Sequence, residues 1–203
     1  CCGVDDAEDA RRVADRLGIP FYVLNYAEPF REAVVDNFVA EYLAGRTPNP
    51  CARCNQYIKF DRLLGQARDL GADYLATGHY ARLHRTEGGG TRLLTGRDPD
   101  KDQSYFLSVT PAGELGSLLF PLGGLSKERV RELAAGYGLV TADKAESQDV
   151  CFVRGSAADF VAERGSGPAL EPGEITDTAG NVLGTHRGRS EEHTSELQSP
   201  SAI

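Results

Sequence analysis

Methionine is absent from all 203 residues, and the chain opens on Cys1-Cys2, so the natural first residue is expected to lie outside it. No apolar run approaches the 18 or so residues that a membrane helix requires, and no basic start leads into an apolar centre, so neither a span nor a secretory signal is visible. Positive charge is in short supply too. Twenty-two Lys and Arg face 30 Asp and Glu, a formal charge of -8, which excludes wholesale attraction to nucleic acid and requires any such partner to be met by a local patch. Cysteine is scarce and odd in number, five in all, which suits a reducing compartment, with cytoplasm the default, where thiols act as reagents or ligands. There is no internal repeat and no low-complexity tract.

At 40% hydrophobic the chain can bury a core, and its length suits one domain plus part of another. Asp5 and Asp6 lead an apolar stripe (Ala7, Ala10, Val13, Ala14, Leu17) closed by Gly18, which predicts a helix, and Phe21-Tyr22-Val23-Leu24 predicts a buried strand. A second helix is expected over Phe30 to Leu43, ending at Gly45, and a third from about Asn55 to Leu70, stopping at Gly71. Residues 72–79 predict a strand ending at Gly78-His79, and Gly88-Gly89-Gly90 the tip of a hairpin. A further helix is expected from Lys127 to Tyr137 with Ser126 as its cap. Alternating helices and strands imply a parallel sheet with helices on its faces, and ligands there gather beyond the strands' carboxyl ends, at Gly78 and His79. From about Gly165 short alternating runs suggest the start of a small β domain.

The most informative stretch is Gly45 to Phe60. Pro48, Asn49 and Pro50 make a stiff loop expected to deliver Cys51 and Cys54 to the start of a helix, whose positive end, with Arg53 and Lys59 close in sequence, favours a thiolate at Cys54. Cys51-x-x-Cys54 alone also reads as half a zinc site, completed by His79, His84 or Cys151, or as a redox pair. Cys151 alone reads as a small buried hydrophobe, His79 as a turn cap, Gly78 as a tight turn, and Lys101-Asp102 as a solvated pair.

Four motifs in order, Gly45 to Phe60, Ala76-Thr77-Gly78-His79-Tyr80-Ala81, Lys101-Asp102-Gln103-Ser104-Tyr105-Phe106 and Ser147-Gln148-Asp149-Val150-Cys151-Phe152, make the chain resemble the tRNA-specific 2-thiouridylases, the MnmA/TrmU family. The resemblance implies an α/β, Rossmann-like parallel sheet of the PP-loop ATP pyrophosphatase type over residues 1–165. It implies the start of a central β domain over 166–188. The family's N-terminal ATP loop and C-terminal domains are expected to lie outside the chain. Residues 189–203 are similar to a translated sequencing adapter and are set aside as a non-native tail.

The implied activity is ATP-dependent transfer of sulfur from a cysteine persulfide to carbon 2 of the wobble uridine of tRNA, with the fragment inactive alone. Cys151 would carry the persulfide. Cys54 would release or resolve it through a Cys54–Cys151 disulfide. Asn49, Pro50 and Cys51 would touch the target base, although some relatives carry Asp where Cys51 stands. Gly78 would admit ATP, used with Mg2+, and His79, Lys101, Asp102 and Gln103 would contact tRNA. A sulfur carrier protein or cysteine desulfurase would supply the sulfur. Two alternatives stay open: a zinc or redox binding module built on Cys51 and Cys54, and another carbonyl-adenylating ATP pyrophosphatase that needs no Cys151.

Overall fold

The computed structural model describes residues 4–144, 150–167, 170–186 and 188. Two compact units emerge, one of residues 1–30 and 51–148, the other of 31–50 and 149–203. Cys1, Cys2, Ser147 to Asp149 of the fourth motif and the tail 189–203 lie outside the described residues.

In the first unit, α1 (Val4–Leu17) follows the predicted stripe and ends where Gly18, at φ 65°, takes the left-handed conformation that a side chain disfavours. The strand expected at Phe21 to Leu24 does not form. Tyr22 and Val23 are 71% and 72% exposed, and no described segment pairs with them, so the ladder that would make an apolar run a strand is missing. A short α2 (Ala27–Phe30) follows, its first amide bonded to the Asn25 side chain.

The cysteine segment also departs from expectation. Helix begins at Pro50, not Asn55: α4 (Pro50–Arg53) runs into wider π-type turns over Cys54–Leu63 and then α5 (Leu64–Asp69). Proline needs no amide partner in a first helical turn, so Pro50 starts the helix and both cysteines lie within it. Gly71, at φ 82°, ends the run as predicted.

β1 (Leu75–Ala76) pairs in parallel with β4 (Leu118–Leu119). Between them lies the expected hairpin, β2 (Ala81–Arg85) against β3 (Thr91–Thr95), with Ala81 opposite Thr95 and Arg85 opposite Thr91. Next comes the single turn α6 (Ser104–Leu107). Phe60, Leu64, Ala81, Leu107, Leu115 and Leu118 form the core, so the cysteine helix, hairpin, α6 and parallel pair share one apolar centre.

α7 (Lys127–Gly136) starts as predicted, with the Ser126 hydroxyl accepting from the Arg129 amide at 3.3 Å. Ser126→Ala should therefore cost about 1 kcal/mol in urea unfolding, whereas a loss below a few tenths would show that the Asp98 carboxylate, which accepts from the Lys127 amide at 2.9 Å, caps the helix alone.

In the second unit, π-type turns over Arg31–Val35 lead into α3 (Asp36–Leu43), which packs on α8 (Ala157–Arg164). Phe38 meets Phe152 and Phe160 edge-on at 5.3 and 6.0 Å. A hairpin of β5 (Gly173–Thr176) and β6 (Val182–His186) completes it.

Candidate functional site

Gly78 and His79 lie just past β1, where the topology rule puts a ligand. Gly78 is exposed, and a Cβ there would meet only the Leu122 Cδ1 at 3.6 Å, so the space beside it is open. His79, the next residue, is buried. It is 8% exposed, with Phe60 and Phe120 ring centres 5.9 and 5.7 Å away.

Its Nδ1 lies 2.6 Å from the Thr77 Oγ1 and its Nε2 3.5 Å from the Lys59 Nζ. An ammonium can only donate, so Nε2 accepts and Nδ1 carries the proton given to Thr77. Burial first, and the Lys59 charge second, push the imidazole pKa from 6.5 down to about 4.

The folded pKa is depressed, so the unfolded chain binds a proton that the folded chain refuses between pH 6.5 and about 4. The stability that neutral His79 confers is whole above pH 6.5 and falls as pH drops through that window, by about 3 kcal/mol in total. Urea unfolding at pH 7 and pH 4.5 should show this acid sensitivity and its loss in His79→Asn; equal slopes in the two proteins would contradict it.

The third motif closes on the same place. The Gln103 amide donates to the Tyr80 carbonyl at 2.9 Å, and the Tyr80 amide donates to the Gln103 Oε1 at 3.0 Å. Asp102 Oδ1 accepts from the Gly96 amide at 2.6 Å and Oδ2 from the Ser104 hydroxyl at 2.6 Å. Burial works to raise the Asp102 pKa, but the Ser104 hydroxyl and then the Gly96 and Ser104 amides favour the ionised carboxylate and hold it below its ordinary value. The side-chain acceptors of both residues thus brace the loop against the strand end.

Cys54 is half-buried and Cys51 exposed on their helix. Of the two cations expected to favour the Cys54 thiolate, Arg53 lies 4.7 Å over the Tyr57 ring and Lys59 reaches His79. Asn55, next to Cys54 and 2% exposed, donates to the Phe106 carbonyl at 3.0 Å. Asn55 and Lys59, four residues apart, thereby tie the Cys54 helix to the third and second motifs respectively. Neither was singled out as a site residue by the sequence, and the one legible signal was their presence inside the cysteine motif.

The first unit therefore holds Cys51, Cys54, Gly78, His79, Lys101, Asp102 and Gln103. Asn49, Pro50 and the exposed Cys151 belong to the second unit, in which Phe152 roots the Cys151 turn by packing against Phe38 and Phe160. No disulfide is formed among the described residues, so the expected Cys54–Cys151 bond is not part of this structure. No three His, Cys, Asp or Glu side chains among the described residues are grouped to hold a metal ion, and no described helix is long and apolar enough to cross a membrane.

A family model described as the tRNA methyl transferase HUP domain matches residues 1–155. The chain is 56% identical over 188 residues to a tRNA-specific 2-thiouridylase MnmA of Geotalea uraniireducens, with 93% of this chain and 50% of the relative covered. It is 54% identical over 190 residues to the protein of that name in Carboxydothermus hydrogenoformans (93% and 52% covered), and 53% over 191 residues to that in Thermus thermophilus (94% and 50%). The chain spans about half the length of these curated relatives. Matched along most of its length, and with a parallel strand pair set among helices, the chain belongs to the tRNA-specific 2-thiouridylase family, whose α/β, Rossmann-like HUP domain it contains.

Proposed function

We propose that this chain serves ATP-dependent 2-thiolation of the wobble uridine of tRNA as a sulfurtransferase, within a longer protein and inactive alone. The observation that carries this reading is the convergence, in one unit, of the Cys54 helix, the Gly78-His79 strand end and the 101–106 segment.

The uridine O2 attacks the α-phosphate of ATP and pyrophosphate leaves, which turns the oxygen into part of a leaving group; Mg2+ would neutralise the triphosphate. The terminal sulfur of a Cys151 persulfide then attacks C2 and AMP departs, leaving Cys151 joined to the base through two sulfurs. The Cys54 thiolate attacks the Cys151 Sγ, the old S–S bond breaks, and its electron pair stays on the base as the C2 thiocarbonyl. A Cys54–Cys151 disulfide results, and an external thiol reduces it. Alternatively, Cys54 releases sulfide from the persulfide first, and that sulfide attacks C2.

Asn49, Pro50 and Cys51 meet the target base. Lys101, Asp102, Gln103 and His79 form the tRNA side, with Asp102 and Gln103 acting mainly by holding the loop. The persulfide comes from a sulfur carrier protein or cysteine desulfurase, in the cytoplasm. Residues 1–165 belong to a PP-loop type catalytic domain, residues 166–188, with the β5–β6 hairpin, begin the central β domain, and 189–203 are a non-native tail.

Gly78 is the nucleotide contact. The protein has room for a methyl group there, so Gly78→Ala should leave the unfolding midpoint unchanged and raise the KM for ATP by roughly tenfold, about 1.4 kcal/mol of lost fit. The decisive experiment puts residues 1–188 in place of the matching half of the Thermus thermophilus relative. With ATP, a persulfide donor and tRNA, that chimera should produce 2-thiouridine, and no thiolation from a folded chimera would refute the assignment.

A further inference from the structure

Among the described residues Lys59 is the one charged side chain against His79, and it is half-buried. Among the described residues no carboxylate pairs with it; its partner is a neutral imidazole nitrogen at 3.5 Å, the outer limit of a hydrogen bond. A cation drawn partly out of water is costly unless an anion compensates it. The imidazole supplies none, since burial and Lys59 itself keep it uncharged. The ammonium also sits at the end of β1, beside the residue adjoining the open Gly78, where an α/β sheet receives its ligand.

We propose that Lys59 is a phosphate-binding residue of the nucleotide site, its ammonium resting on His79 until a nucleotide phosphate supplies the missing charge. His79 is then its resting acceptor. The flexible four-carbon stem lets the ammonium move to a phosphate oxygen without moving the helix. This inference rests on the nucleotide site proposed at Gly78, but it assigns a residue that neither the four motifs nor the expected thiol chemistry placed there.

The test compares AMP with adenosine, titrated into the 203-residue chain and followed by NMR, which reads millimolar affinities. The intact chain should bind AMP more tightly than adenosine, and AMP alone should shift the Lys59 Nζ and His79 Nε2 signals. Lys59→Gln should weaken AMP binding roughly ten- to a hundredfold while leaving adenosine unchanged, as expected for one lost charge-assisted hydrogen bond. Lys59→Arg should keep the preference for AMP. The inference is overturned if the intact chain does not prefer AMP, or if Lys59→Gln weakens AMP and adenosine equally or not at all. Should Lys59→Gln fail to fold, the shifts in the intact chain decide: adenosine moving both signals as AMP does would overturn it. Loss of tRNA thiolation in the chimera with the AMP preference intact would count against the thiolation reading and not against this one.

Discussion

Cys54→Ser and Cys151→Ser should each lower 2-thiouridine formation in the chimera by about three orders of magnitude or more, and the double variant should be no worse than the poorer single one. A serine hydroxyl neither holds a persulfide nor ionises near neutral pH, so each substitution removes a whole chemical step and not a fraction of one. Two residues that act in series on one sulfur atom also fail non-additively. Both side chains reach solvent at least in part, so neither substitution opens a core cavity, and the unfolding midpoint should stay in place. Cys51, exposed on the same helix, provides the contrast: Cys51→Ser should keep activity within about tenfold. Thiouridine is read by mass spectrometry of digested tRNA. Full activity in both Cys54→Ser and Cys151→Ser would remove sulfur relay from the account and favour a related enzyme that adenylates another carbonyl.

Gly123→Ala carries the largest expected loss of stability. A Cβ at Gly123 would lie 1.7 Å from the Ala81 carbonyl oxygen, and Ala81 is wholly buried at the start of β2. Backbone stands on both sides of that clash, so no rotamer change relieves it, and either the hairpin or the turn at 120–124 must move, at a cost of about 3 kcal/mol or more. The same turn carries Phe120 against His79 and Leu122 beside Gly78, so the strand end should be disturbed with it. At the neighbouring Gly124 a Cβ meets nothing within 4 Å, and Gly124→Ala should shift the urea midpoint little. Equal shifts in the two variants would show that the 120–124 turn adapts freely.

Local signals are legible where the physics is local. Gly18 and Gly71 end their helices because a chain reversal there needs positive φ, and Ser126 caps α7 because its hydroxyl needs only the third amide onward. Ser156, followed three residues later by Asp159, is the same kind of signal, and it would have located α8, which the periodicity left unmarked. Residues 21–24 failed for the opposite reason: an apolar run becomes a strand only if another segment pairs with it, and that is not written in the run itself. The helix starts at Pro50, five residues before the expected Asn55, because a proline that stiffens a loop equally well opens a helix, and the local sequence does not distinguish the two.

By itself, then, the order of residues determined the family, through four motifs whose spacing survives any detail of packing, and with it the candidate thiols, Gly78 and the 101–103 strip. Only the tertiary structure decided that His79 is buried and neutral, that Lys59 rests on it, and that Asp102 and Gln103 spend their acceptors on nearby backbone amides and the Ser104 hydroxyl. Desolvation and hydrogen bonding depend on which distant atoms end up within about 3 Å of a group, and that neighbourhood exists only once the chain has folded.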